Sequence, residues 1–177
     1  MKRTNVVMTP RTRYENRRRI GIQALLLILV LTVVNIGIYA LGNGSYFFVS
    51  AYVPYVFAML GVDYIKGGED YAAIPALGVF FLSIAAVILV FYVIFYVLGR
   101  KKIGWVIAGA ACFGVDTLFV LLLTFVSGEP VGFILDILFH GIILWELIDS
   151  ILCHYKLKKL PPEETAPTDG NSAEFKE

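Results

Sequence analysis

The sequence predicts an all-α fold: a polytopic membrane helical bundle with four transmembrane helices and an outer interfacial or re-entrant helix. Three observations predict it. The 177 residues are 58% hydrophobic and only 16% charged, where soluble domains run at roughly 45–50% and about 25%, and the mean hydropathy is +0.76. Four apolar runs contain no Lys or Arg and reach the roughly 20 residues a helix needs to cross the hydrocarbon core. The basic residues are confined almost entirely to three blocks outside those runs. Together these exclude a disordered chain, a nucleic-acid-binding module and most soluble enzymes.

Residues 1–19 form a basic tail with Lys2, Arg3, Arg11, Arg13, Arg17, Arg18 and Arg19 against one acid, Glu15. It lacks helical apolar spacing and reads as an unstructured arm. The Arg17, Arg18 and Arg19 cluster sets topology and meets anionic lipid headgroups, at about 1 kcal/mol per charge. The first span is 20–41. At 22 residues it exceeds the roughly 7–15 of a signal-peptide core, and Gly42-Asn43-Gly44 is a poor cleavage site, so the helix is expected to be retained. Asn43-Gly44-Ser45 also fits a glycosylation sequon.

The segment 42–75 follows as an outer element. Within it Tyr46 to Leu60 is apolar but short, is interrupted by Pro54 and is rich in Tyr and Phe, residues that favour the membrane–water interface. It is therefore assigned to an interfacial or re-entrant helix packed on the outer face, with Gly67-Gly68 as a potential hinge. The remaining spans are 76–98, entered after Pro75, which suits a helix start, then 103–126 and 131–153. The turn from Ser127 to Pro130 makes the last two an antiparallel hairpin. Residues 156–177 (KLKKL aside, PPEETAPTDGNSAEFKE) cannot bury a core and read as a disordered tail.

Charge distribution orients the bundle. Four spans put 14 of the 15 basic residues on one side, including Arg100, Lys101 and Lys102 in the middle loop and Lys156, Lys158 and Lys159 after the last span. The other side keeps Lys66 with Asp63, Glu69, Asp70 and Glu129. An excess of Lys and Arg in short loops marks the cytoplasmic side, so both termini are expected in the cytoplasm of a multi-pass cell-membrane protein. The two cysteines, Cys112 and Cys153, form no motif and read as packing residues.

Ionisable residues inside spans are functional candidates by default. Asp116 lies near the middle of the third span and His140 near the middle of the fourth, level with each other in an antiparallel hairpin. Asp136 precedes His140 by four residues and so shares its face. Glu146 lies further inward, about 80° round the helix, and His154 continues the Asp136–His140 stripe. Gly109 and Cys112 share the face of Asp116, which permits close helix approach. Asp116, Asp136, His140 and Glu146 are thus the candidate intramembrane polar cluster. Three readings stay open: a hydrogen-bonded structural network, a proton or solute site, and a metal site using D-x-x-x-H and Asp116. Thr32 and Asn35 read as interhelical hydrogen bonds, Trp105 as a belt residue and Trp145 as packing. An aspartyl protease would need a G-x-G-D motif, in which Val115 replaces the second glycine, and a Tyr-Asp partner that is missing.

The Arg-rich start, S-A-x-x-P-Y from Ser50 to Tyr55, D-T-L-x-x-L-L-L from Asp116 to Leu123 and D-x-x-F-H from Asp136 to His140 together resemble small four-span membrane proteins of Gram-positive bacteria. The resemblance covers most of residues 13–155. It implies the fold and a bacterial cytoplasmic membrane; it carries over no activity and no functional residue. No nucleotide or cofactor motif is present, and the loops are too short for a soluble catalytic domain. The expectation is a non-enzymatic accessory or partner-binding component, with no cofactor, no nucleic acid, and the lipid bilayer plus a membrane-protein partner or a second copy as its contacts. The alternative is a small proton-coupled transporter or metal-binding protein using the Asp/His cluster.

Overall fold

The computed structural model describes residues 9–42, 50–67, 72–127 and 130–161, with the side chains of 130–133 excepted. The glycosylation sequon, the first four residues of the Tyr46–Leu60 run, Gly68, the acids Glu69, Asp70 and Glu129, residues 1–8 and residues 162–177 lie outside the described residues. Among the described residues there are five α-helices and no strand: α1 (Pro10–Ala40), α2 (Tyr52–Lys66), α3 (Pro75–Gly99), α4 (Ile103–Ser127) and α5 (Pro130–Lys159). Helices α1, α3 and α4 are long and apolar enough to cross a membrane, which gives the chain the character of a helical membrane protein. Helix α5 corresponds to the fourth predicted span but carries Asp136, Glu146 and Asp149.

Helix α1 starts ten residues before the predicted span, so much of the basic tail is helical rather than unstructured. The cause is local and tertiary. Thr9 caps the helix, its side chain accepting from Thr12 N at 3.3 Å, and Pro10 occupies a first-turn position where no N–H is needed. The extension then lies along the end of α5, where Ser150 Oγ donates to Arg18 O at 2.9 Å and Arg17 pairs with Asp149 at 3.1 Å. Arg17 reaches Asp149 because α1 and α5 run side by side. At its own end α5 continues to Lys159, with Lys156, Lys158 and Lys159 in the last turn, where cations offset the helix dipole.

The bundle pairs α1 with α5, α5 with α4, and α4 with α3. Its core is formed by Leu25 and Ile28 of α1, Tyr92 of α3, Val106 and Phe113 of α4, and Ile143 and Leu147 of α5, all buried. These residues fill the half of the bundle nearer the basic end, where the tail, the Arg100–Lys102 loop and the end of α5 gather. In the opposite half α2 is wedged in, against α3 above all and also against α1 and α4. The α2–α3 contact is close because Gly61 and Gly78 meet there: a Cβ on Gly78 would come within 2.6 Å of Gly61 O and of Ile65 Cγ1. The outward surface is apolar on α3 (Val79, Val87), α4 (Leu118, Leu122) and α5 (Leu138, Ile142). Trp145, expected to pack inside, is 65% exposed on that same α5 face.

Candidate functional site

A helix leaves its first four N–H groups without an internal partner, and α2 starts deep within the bundle. Its N-cap residue, Ala51, has no side chain that could accept from them. Each position is nevertheless accounted for. Ala51 N donates to Thr32 Oγ1 at 2.9 Å. Tyr52 N donates to Asp116 Oδ2 at 2.9 Å and Val53 N to Asp116 Oδ1 at 2.7 Å. The fourth position is Pro54, which has no N–H to place. The carboxylate that caps α2 therefore comes from the middle of α4. Asn35 adds a further tie from α1, its Nδ2 donating to Ser50 Oγ at 2.8 Å. Ser50 and Ala51 are fully buried.

His140 of α5 completes the centre. Its Nε2 lies 2.9 Å from Asp116 Oδ2 and its Nδ1 lies 2.7 Å from the main-chain oxygen of Asp136. A carbonyl only accepts, so Nδ1 carries a proton. One further proton lies between Nε2 and Oδ2. Two backbone amides at the start of α2 and one ring nitrogen of His140 thus converge on the Asp116 carboxyl. The His140 ring stacks on Phe113 with centroids 4.8 Å apart and planes 3° from parallel. His140 has no exposed surface and Asp116 only 3%. The Tyr92 hydroxyl, hydrogen-bonded to Cys112, lies within electrostatic range of Asp116.

Of the four cluster residues read from the sequence, Asp116 and His140 are thus in direct contact. Asp136 is buried at 2% exposure and contributes its main-chain oxygen to His140, while its carboxylate acts electrostatically on the Tyr52 phenol. Glu146 stands apart, alongside Gly21 of α1, because ten residues of helix carry it about 15 Å along α5; its main-chain oxygen is 2.6 Å from where a Cβ on Gly21 would be. Among the described residues no group of three His, Cys, Asp or Glu side chains is placed to hold a metal ion. What sequence reasoning missed was the third partner, the start of α2. The signal available was an apolar helix opening at Ser50-Ala51 without a capping side chain of its own.

At the opposite end of α2, Tyr39 Oη donates to Asp63 Oδ1 at 2.6 Å and Lys66 Nζ to Ala40 O at 2.8 Å. These contacts hold the end of α2 level with the end of α1.

The topology residues gather at the basic end. Arg18, Arg19 and Arg100 line a cleft with His154 and Lys158. Lys101 and Lys102 line a second cleft on the other side of those two α5 residues. His154 lies beyond the predicted fourth span. Burial pushes its pKa below the ordinary histidine value, and the Arg18 and Lys158 charges push it further down. A histidine whose folded-state pKa is depressed binds protons more readily when unfolded, so acidification costs stability. The melting temperature in neutral detergent is expected to fall as pH drops through about 6.5, and His154→Gln is expected to fall less over the same range. Parallel pH profiles for the two proteins would refute this. No protein-family model, no curated protein and no solved structure matches the chain.

Proposed function

We propose that the protein is a four-span integral membrane protein with both termini in the cytoplasm and α2 as a re-entrant half-helix. We propose further that its role is non-enzymatic, as an accessory or partner-binding component of the membrane, with the Asp116–His140 centre serving to seat α2. The observation that carries this reading is the complete pairing of the α2 N-terminus. Inside a bilayer every backbone polar group needs a protein partner, and Thr32 and Asp116 satisfy each N–H that α2 leaves free. At 15 residues α2 is about 22 Å long, too short to cross but long enough to run from mid-bundle to the end of α1. For α5 as the fourth span, the support is its outward apolar face, with Asp136 turned inward and Asp149 paired to Arg17. The resemblance to small four-span proteins supports a bacterial cytoplasmic membrane.

One observation favours a second reading. The proton shared by His140 Nε2 and Asp116 Oδ2 could be taken up and released, loosening α2 each time it leaves; that is the chemistry of a proton-coupled transporter. Full burial of His140 favours the seating role over this one. Thermal stability of the wild type, Asp116→Asn and His140→Ala, scanned across pH and against divalent metals, separates them. The seating role predicts clear destabilisation of both variants and a wild type indifferent to metals. A wild type stabilised by a metal, or a pH response that disappears in variants of near-wild-type stability, would sink it.

A further inference from the structure

We propose that the basic end of the bundle holds a binding site for a phosphate-bearing anion, in the cleft between α1, α3 and α5 lined by Arg18, Arg19, Arg100, His154 and Lys158. The cleft has a volume of about 830 Å³, and three helices contribute to it: Arg18 and Arg19 from α1, Arg100 from α3, and His154 and Lys158 from α5. Glu15 is the one acid among its lining residues. Three further cations at this end have partners. Arg17 is paired with Asp149 at 3.1 Å, Lys156 stands 5.7 Å over the Tyr14 ring, and Arg11, at the cleft's edge, donates to Pro161 O at 3.0 Å.

The cleft residues differ in what they leave open. Arg18 Nε and His154 Nε2 are both buried and have no hydrogen-bond partner among the described residues. A buried polar atom without a partner is costly, and an ion bound beside it is one way a native structure supplies that partner. The backbone at Arg18 is fixed by the Ser150 hydroxyl, and Arg100 stands 6.0 Å over the Tyr96 ring, so two guanidinium groups are held on rigid helix ends. A planar guanidinium matches two phosphate oxygens at once. Four permanent cations on three helices suit an anion with several oxygens and more than one charge. Ile22 and Leu157 add an apolar wall. The headgroup of an anionic phospholipid and a soluble phosphate compound share this chemistry.

The test uses the full chain in neutral detergent, followed by tryptophan fluorescence and melting temperature. It is titrated separately with inorganic phosphate, with short-chain phosphatidylglycerol and with short-chain phosphatidylcholine, at equal ionic strength. Saturable stabilisation by phosphatidylglycerol alone supports the proposal with a lipid source; saturable stabilisation by inorganic phosphate supports it with a soluble one. The double variant Arg100→Gln/Lys158→Gln, altered only at exposed positions, is expected to weaken binding about thirty-fold, from about 1 kcal/mol per charge. Arg100→Lys/Lys158→Arg is expected to restore most of it. Lys156→Gln, outside the cleft, is expected to change it less than about three-fold. Absence of saturable stabilisation by either anion overturns the proposal. So does an equal loss in Lys156→Gln, which would mean diffuse surface charge, and so does equal stabilisation by phosphatidylcholine.

Discussion

Asp116→Ala is expected to cost about 3–5 kcal/mol of stability, from three donors left without an acceptor at about 1–3 kcal/mol each, discounted for partial exposure. Three donors lose their acceptor at once: the amides of Tyr52 and Val53 and the Nε2 of His140. His140 is fully buried and cannot turn its nitrogen to water, and Tyr52 and Val53 are half-buried. Asp116→Asn keeps one acceptor oxygen and turns an amide NH₂ toward the second donor, so its cost should fall between wild type and Asp116→Ala. His140→Ala leaves the carboxylate with its two backbone donors and should cost less than Asp116→Ala. Asp63→Asn, which weakens only the half-buried Tyr39 bond, should cost about 1 kcal/mol. Reversible unfolding in mixed micelles gives all four values. If Asp116→Ala lies within about 0.5 kcal/mol of wild type, the carboxylate is not what holds α2.

Gly78→Ala is the second large effect, and its sign is the informative part. Alanine is the better helix former by about 1 kcal/mol, so in an unobstructed helix the change stabilises. Gly141 in α5 is such a position, with nothing within 4 Å of an added Cβ, and Gly141→Ala should gain up to about 1 kcal/mol. At Gly78 the added Cβ would lie 2.6 Å from Gly61 O and 3.0 Å from Ile65 N. Both are backbone atoms of α2, so the helix itself must move. The expected net result is a loss of about 1–3 kcal/mol, the usual cost of overpacking. The same unfolding measurement compares the two variants; a gain at both positions would mean that α2 and α3 do not approach this closely. Because Gly78 and Asp116 both seat α2, their double variant should lose less than the sum of the single losses.

The sequence made the Asp116–His140 contact legible because two periodicities agreed. The hairpin turn set the depth of α4 against α5, and the four-residue spacing of Asp136 and His140 set the face. The α2 contact was hidden because its two halves lie 64 and 63 residues apart in the chain, and no local pattern joins an uncapped helix to a distant carboxylate. Pro54 misled for a related reason. It reads as an interruption of an apolar run, yet it stands in the first turn of α2, where proline is tolerated. Trp145 was placed inside on depth alone, whereas its neighbours Leu138 and Ile142 show that this face of α5 points outward. The early start of α1 was signalled by Thr9-Pro10; the absence of an apolar stripe masked it, because that part of the helix needs only one edge against α5.

The distant carboxylate also dictates an order of assembly. Chains emerge N-terminus first at about 5–20 residues per second, so α2 leaves the ribosome before α4, which holds Asp116, and before α5, which holds His140. Until those helices arrive, the amides of Tyr52 and Val53 have no acceptor, and burying them in lipid would cost several kcal/mol each. On the proposed reading of α2 as a re-entrant half-helix, its start is expected to stay at the water-facing edge until α4 and α5 have arrived.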